Sequence, residues 1–300
     1  MKKIIAAVLA AVLVTVCFAG CDTFGGGKDM LKVMQFNIKV GNDGFERAAA
    51  LRGIIDKFKP DVIGFQEVNQ TWYDALTGRV FKDGSYVGVY EGRDNGTEGT
   101  PCFYRADKYN LLDSGTFWLS DTPEKKASAF AGCNYPRIAT WVKLENKKTG
   151  DVIVHVNTHL DNNGNNGASA ANKIREKQAA VLMDFITKLG DVPVILTGDF
   201  NQSQLDGNGN PTPAYVTISN HMENARLTAP KTVSEDEKAT MTKYYDKESE
   251  SYNPKHQPID YVFYTGKHFE ALSYESFMPV FDGTTISDHL GLFCKLRIIK

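Results

Sequence analysis

The sequence predicts a single α/β domain covering residues 31–300, and three observations carry that expectation. Apolar strand-like runs alternate with helical stretches at the start, and short strands separated by turns fill the middle. Polar residues keep arriving at the ends of the apolar strands, where open α/β sheets place their ligands. A length of 300 residues invites a division into two domains, yet mixed α/β folds use about 250 residues as one unit, and no linker-like stretch cuts the folded part.

The elements follow in order. Residues 31–37 read as an apolar strand ending in Phe36 and Asn37, residues 46–58 as a helix and residues 62–65 as a second short strand. Pro60 ends the helix, because proline disfavours helical geometry at the residue before it. Residues 86–90, 101–105, 111–119, 138–144 and 152–158 read as strands, together an expected antiparallel run. Residues 170–189 carry Ile174, Val181, Leu182, Phe185, Ile186 and Leu189 at helical spacing, which gives one apolar face. A strand at 194–196 delivers Gly198 to Asn201, and strands at 259–264 and 292–299 close the chain. The polar, charged and aperiodic stretch 231–254 reads as a surface excursion, with a substrate lid as the alternative.

The N-terminus reads as an address. Lys2 and Lys3 precede an apolar run over 4–16, and Phe18, Ala19 and Gly20 lead into Cys21. The pattern resembles a bacterial lipoprotein signal, with a signal peptide over 1–20, a lipid on Cys21 and a flexible tether over 21–30 that includes Gly25 to Gly27. An uncleaved anchor and plain secretion are the alternatives, although the run is short for a bilayer span of about 20 residues. The expected location is the bacterial cell envelope, lipid-anchored to a membrane and facing periplasm or exterior. With Cys17 leaving in the signal, Cys102, Cys133 and Cys294 remain; they permit one disulfide at most, with Cys102 to Cys133 left open, and match no zinc-site spacing. Lys and Arg total 34 against 36 Asp and Glu, a net charge of -2, which argues against a large duplex nucleic-acid footprint.

Side chains alternate along a strand, so His155, Asn157 and His159 share one face. Asn157 and His159 would reach the mouth, whereas His155 lies deeper and reads as a packing histidine. In Gly198-Asp199-Phe200-Asn201 the acid and the amide can face one pocket, where the acid can orient or deprotonate water and the amide can donate to a developing oxyanion. A plain turn is the competing reading of those residue types. Asn37 and Glu67 end neighbouring strands and offer oxygen ligands suited to a hard cation such as Mg²⁺. Asp288 and His289 sit near the C-terminus, and Asp260 can orient and charge-stabilise the His289 imidazole. Each taken singly also fits an ordinary polar residue.

In this order the set resembles the endonuclease/exonuclease/phosphatase superfamily, from about residue 31 to 300. The matching residues are Asn37, Glu67 in a Gln-Glu pair, Asn157 with His159, Asp199 with Asn201, Asp260 in an Ile-Asp pair, and Asp288 with His289. The resemblance implies a four-layer α/β/β/α sandwich of two mixed β-sheets flanked by helices. It also implies roles: Glu67, Asn37 and Asp288 for Mg²⁺ or Mn²⁺, Asp199 for the attacking water, and Asn201 and His159 for the scissile phosphate. Asp260 and His289 would act as a pair. A further likeness to secreted deoxyribonucleases makes Arg137 a phosphate contact, beside Asn157, with Gln178 a weaker supporting candidate. Lys39 stands where some nucleases of the family carry an acid, which gives no support for a second metal. Gln257 and Pro258 stand where members often carry a basic residue, with Lys255 or His256 as replacements. The expected function is metal-dependent hydrolysis of a phosphodiester in nucleic acid, a lipid headgroup or a small phosphate ester, by a monomer. A phosphatase or phospholipase acting on inositol, sugar or lipid phosphates is one alternative, and a membrane-tethered binding protein of the same fold is another.

Overall fold

The computed structural model describes residues 30–164, 167–230, 232–233, 239–241 and 257–299. The expected signal peptide, Cys21 and the tether up to residue 29 lie outside the described residues, as do residues 234–238 and 242–256.

Two sheets carry the domain. The first contains β1 (Met30–Asn37), β2 (Val62–Gln66), β3 (Tyr86–Val89), β4 (Cys102–Arg105), β10 (Thr232–Val233), β12 (Phe269–Phe277) and β15 (Gly291–Ile298), in the order β10-β12-β15-β1-β2-β4-β3. The second contains β5 (Tyr109–Trp118), β6 (Ile138–Asn146), β7 (Val152–His159), β8 (Val194–Asp199), β9 (Glu223–Asn224) and β11 (Asp260–Tyr264), in the order β5-β6-β7-β8-β11-β9. β13 (Val280–Phe281) and β14 (Thr284–Thr285) form a separate hairpin. β1 runs parallel to β2 and β7 parallel to β8, while β15 and β11 return antiparallel to β1 and β8. Both sheets are therefore mixed.

Period-two alternation sorts each central strand between two cores. Met34, Phe36, Ile63 and Phe65 face outward onto α1 (Gly44–Phe58), which buries Ala48, Leu51, Ile54, Ile55 and Phe58 against them. Val154, Val156, Leu196 and Phe263 face the other way, onto α3 (Gly167–Lys188), whose buried stripe includes Ala171, Ile174, Ala179, Leu182, Met183 and Ile186. Between the sheets lie Leu31, Val33, Val62, Ile153, Ile195, Val262 and Leu292. The result is four layers, helix on sheet on sheet on helix.

The inter-sheet faces also set up the site. Residues 31, 33, 35 and 37 of β1 share one face, as do 153, 155, 157 and 159 of β7 and 195, 197 and 199 of β8. The space between the sheets therefore grades from apolar to polar towards the C-terminal ends of the parallel strands. Gln35, Asn37, Gln66, His155, Asn157, Thr197, Asp199 and Asp260 are all buried there. Gly64 makes the close approach possible, because a Cβ on it would lie 2.2 Å from Thr197 Oγ1 and 2.4 Å from Asn157 Oδ1.

Several sequence expectations need correcting. The strands between residues 86 and 159 are not one antiparallel run: β3 and β4 extend the first sheet beside β2, whereas β5, β6 and β7 belong to the second. The sequence reading missed α2 (Gln70–Ala75) with its π-helical continuation Leu76–Val80, and also α4 (Pro213–Ser219), α5 (Ala225–Thr228) and β12. A bulge between Ala271 and Ser273 breaks the alternation that would have revealed β12. The stretch assigned to the surface supplies buried Ala239 and Thr240, and Thr240 Oγ1 accepts from the backbone of Ile259 and Asp260 at 3.1 and 3.3 Å. Cys102, Cys133 and Cys294 are free thiols, so no disulfide links them. No helix of the described residues is long and apolar enough to cross a membrane.

Candidate active site

The site lies where β1, β2, β7 and β8 end and β11 begins. Three residues around it, Lys39, Glu67 and Asn201, hold positive φ at 56°, 60° and 48° without being glycine. Such left-handed backbone is costly outside glycine and clusters at functional sites. Here it turns the chain sharply after β1, β2 and β8, so that the side chains aim back across the strand ends.

Asn37 joins the two carboxylates: its Nδ2 donates to Glu67 Oε1 and to Asp199 Oδ2, both at 3.0 Å. The backbone N–H of Lys39 donates to Asn37 Oδ1 at 3.0 Å, and that of Val40 to Glu67 Oε2 at 2.9 Å. Adjacent parallel strands bring Asn37 and Glu67 together, as the sequence implied. Asp199 Oδ2 also lies 3.5 Å from His159 Nε2 and 3.8 Å from His289 Nε2. Asn201 Nδ2 donates to His159 Nε2 at 2.9 Å and to the Leu160 carbonyl at 3.1 Å. That contact fits a neutral His159 with its proton on Nδ1.

His289 is fixed from behind. Its Nδ1 lies 2.9 Å from Asp260 Oδ2, its backbone N–H donates to Ser287 Oγ, and Ser287 Oγ donates to the Asn37 carbonyl at 2.6 Å. Burial works to lower the His289 imidazole, but the charges of Asp260 and Asp199 outweigh it and hold the imidazole above its ordinary range. His159 goes the other way, held well below its ordinary value by burial and by the positive charges of Arg137 and His289. Burial, with the Asp260 charge, raises the Asp199 carboxyl. Two imidazoles with opposed proton affinities thus flank one carboxylate, an arrangement suited to dividing acid and base work.

The remaining candidates divide. Asn157 does not face the mouth: its Nδ2 donates to the carbonyls of Phe65 and Pro101, and its Oδ1 accepts from Gln66 Nε2 and Thr197 Oγ1 at 2.7 and 2.9 Å. All four hydrogen-bonding positions are used inside the protein, so Asn157 pins the sheets together. Asp288 is not gathered with Glu67 either; its half-exposed carboxylate lies 3.4 Å from Lys39 Nζ. Arg137 is buried beside Asp161, at 3.5 Å, and its charge reaches Asp199 and His159. Gln178 Oε1 accepts from the Asp161 backbone at 2.9 Å and so supports the segment leaving β7. His155 is the packing histidine expected, 2.8 Å from Thr197 Oγ1.

Sequence reasoning missed Gln35, Gln66, Asp161, Ser287 and Arg93. Gln35 Nε2 donates to Gln66 Oε1 at 2.7 Å and to Asp260 Oδ1 at 2.9 Å, completing a chain from Asn157 through both sheets to the His289 partner. For Gln35 and Gln66 the available signal was a place on the inter-sheet faces of β1 and β2; Arg93, Asp161 and Ser287 lie outside the strands and carried no such signal.

A cation site fits the residues present. Glu67, Asp199 and His289 offer ligand atoms that all lie within 4.8 Å of one another. The two carboxylates, tied together by Asn37, supply the hard oxygen donors that Mg²⁺ and Mn²⁺ prefer. His289, committed to Asp260 through Nδ1 and rich in proton affinity, is the weakest donor of the three.

A fold of two mixed sheets between helices, with carboxylates and imidazoles converging at strand ends, defines a hydrolase-like α/β sandwich. The chain belongs to the endonuclease/exonuclease/phosphatase family, whose model matches residues 34–289. Members of this family are hydrolases of phosphoester bonds. Among solved structures, the chain is similar to the endonuclease/exonuclease/phosphatase from Bacteroides vulgatus, at 27% identity and a TM-score of 0.76, covering 91% of this chain and 100% of that one. It is also similar to nocturnin of Drosophila melanogaster, 28% identical over 217 residues, and to the CCR4-Not complex 3'-5'-exoribonuclease subunit Ccr4 of Debaryomyces hansenii, 25% identical over 191 residues. Those matches take in 63% and 54% of this chain but only 30% and 22% of the relatives' own lengths.

Proposed function

We propose that this chain hydrolyses a phosphodiester, in a nucleic acid or a nucleotide-like ester, with a divalent cation held at Glu67. The observation that carries the reading is the convergence on Asp199 of Asn37, His159 and the Asp260-backed His289, beside Glu67. Relatives named as 3'-5'-exoribonuclease subunits support a nucleic-acid phosphodiester over a lipid or sugar ester. Mg²⁺ or Mn²⁺, held by Glu67 with Asp199 close by, would supply charge neutralisation at the phosphate.

The chain's own residues do the rest. Asp199 orients the attacking water and accepts its proton, helped by a raised carboxyl affinity. Asn201 holds His159 in the tautomer with its proton on Nδ1, from which His159 donates to a non-bridging oxygen, and Arg137 adds positive charge on the same side. His289, kept proton-rich by Asp260, stabilises the charge growing on the phosphate or protonates the leaving oxygen.

The N-terminal pattern supports a lipid on Cys21 and a place on the envelope of a bacterial cell, with 21–30 as tether and the rest as one catalytic domain acting as a monomer. Radiolabelled palmitate incorporation, lost in Cys21→Ala, tests the anchor. Hydrolysis of a panel of DNA, RNA, a sphingomyelin-type lipid, inositol phosphates and simple esters, with Asp199→Ala as control, tests the activity. Turnover of a nucleic-acid substrate that vanishes in the variant is the expected result. Turnover confined to lipid or sugar phosphates would overturn the substrate assignment, and turnover unaffected by Asp199→Ala would overturn the site.

A further inference from the structure

On the wall next to His159, Tyr135 and Arg93 stand beside Arg137 with no part in the proposed hydrolysis. Tyr135 is 46% exposed and, with Phe281, one of two aromatic side chains left open to solvent among the described residues. The Arg93 guanidinium lies 4.4 Å from its ring centroid and that of Arg137 lies 5.8 Å from it. Both arginines are buried, and each has an Nε with no hydrogen-bond partner among the described residues. Arg93 is locked in place: its Nη1 pairs with Glu98 Oε2 at 3.0 Å, and its carbonyl accepts from Trp118 Nε1 at 2.6 Å.

The segment bearing Tyr135 is also tied to the site. Asn134 donates through its backbone N–H to Asp161 Oδ2 at 3.0 Å and through Nδ2 to the Asn162 carbonyl at 3.0 Å. Asp161 follows His159 by two residues and sits 3.5 Å from Arg137. Pro136 restricts the backbone between Tyr135 and Arg137. An exposed aromatic ring, backed by a fixed guanidinium, therefore stands beside Arg137, which sits against Asp161 just after His159.

We propose that Tyr135, backed by Arg93, is a substrate-stacking residue whose solvent-exposed ring packs on a nucleobase next to the phosphate bound on the His159 side of the site. A planar base gains from the whole face of the ring, whereas a saturated alcohol or sugar gains only edge contact. Arg93, neutralised by Glu98, is the positioning residue that holds the ring. The assignment rests on the site being a phosphoester site, and it narrows the substrate to one carrying an aromatic base.

Calorimetric titration of the full chain with adenosine 5′-monophosphate and with ribose 5-phosphate, in wild type, Tyr135→Ala and Tyr135→Phe, tests it without requiring turnover. The base should tighten binding by about tenfold to a hundredfold in wild type, the gain should persist in Tyr135→Phe, and it should vanish in Tyr135→Ala while ribose 5-phosphate binding stays unchanged. Equal binding of the two ligands by wild type, equal weakening of both in Tyr135→Ala, or no binding of either would overturn the subsite. Base-dependent binding without hydrolysis of any phosphodiester would instead sink the proposed function and leave the subsite standing.

Discussion

Replacing Gly64 by alanine tests how the fold and the site are joined. The added Cβ would sit 2.2 Å from Thr197 Oγ1, 2.4 Å from Asn157 Oδ1 and 2.6 Å from Asn157 Cγ, all below the distance at which real contacts occur. Neither neighbour can step aside cheaply. Asn157 makes four hydrogen bonds to the protein, and Thr197 is engaged by both His155 and Asn157. Overpacking a tight interior costs about 1–3 kcal/mol, and each buried polar group stripped of its partner adds about 1–3 kcal/mol. A loss of roughly 3 kcal/mol or more follows, which for a domain of this size lowers Tm by about 6–12 °C. The displacement acts between β2, which leads into Glu67, and β8, which ends at Asp199. A misplacement of about 1 Å there can cost about 100-fold in rate. Urea unfolding and hydrolysis of a chromogenic phosphodiester measure the two effects on one preparation. Wild-type stability with wild-type turnover in Gly64→Ala would refute the view that this contact sets the inter-sheet spacing and, through it, the site.

Other expectations follow from the same geometry. Asp260→Asn keeps the shape but removes the charge that holds His289 proton-rich, so kcat should fall about 10²–10⁴-fold with the circular dichroism unchanged; near-normal kcat would remove Asp260 from the mechanism. Burial holds the His155 imidazole down at about 3, against about 6.5 in the unfolded chain. The unfolded state therefore binds more protons between those values, and stability present above pH about 6.5 is lost progressively as pH falls towards about 3. In His155→Gln the fall of Tm between pH 6.5 and 4 should be shallower, and an unchanged slope would contradict this assignment. Gln178→Leu strips the Asp161 backbone N–H of its acceptor, which should cost about 1–3 kcal/mol in chemical denaturation; unaltered stability would mean that the segment leaving β7 is held by other contacts.

Much of the site was legible because its residues end strands that hydrophobic alternation identifies. Asn37 and Glu67 met as expected once β1 and β2 were read as neighbours, and Asp199 with Asn201 followed a buried strand as expected. Asn157 was placed on the correct face, but facing the inter-sheet space does not reveal that Gln66, Phe65, Thr197 and Pro101 use its whole amide. Gln35 and Gln66 read as ordinary polar positions in strands; their significance comes from a partner 225 residues away in one case and 91 in the other. Asp288 entered through the family resemblance; its carboxylate lies beside Lys39 while His289 turns to Asp260. The division of the middle strands between two sheets was equally out of reach, because pairing depends on contacts that local pattern does not specify.

The most direct test of the account is a Mg²⁺ titration of phosphodiester hydrolysis, before and after chelation, in wild type, Glu67→Gln and Asp288→Asn. Activity should disappear with chelator and return with Mg²⁺, and the half-saturating Mg²⁺ concentration should rise about 10–100-fold in Glu67→Gln but change little in Asp288→Asn. Hydrolysis that survives chelation, or a metal requirement that moves with Asp288 and not with Glu67, would contradict the placement of the cation beside Glu67 and Asp199.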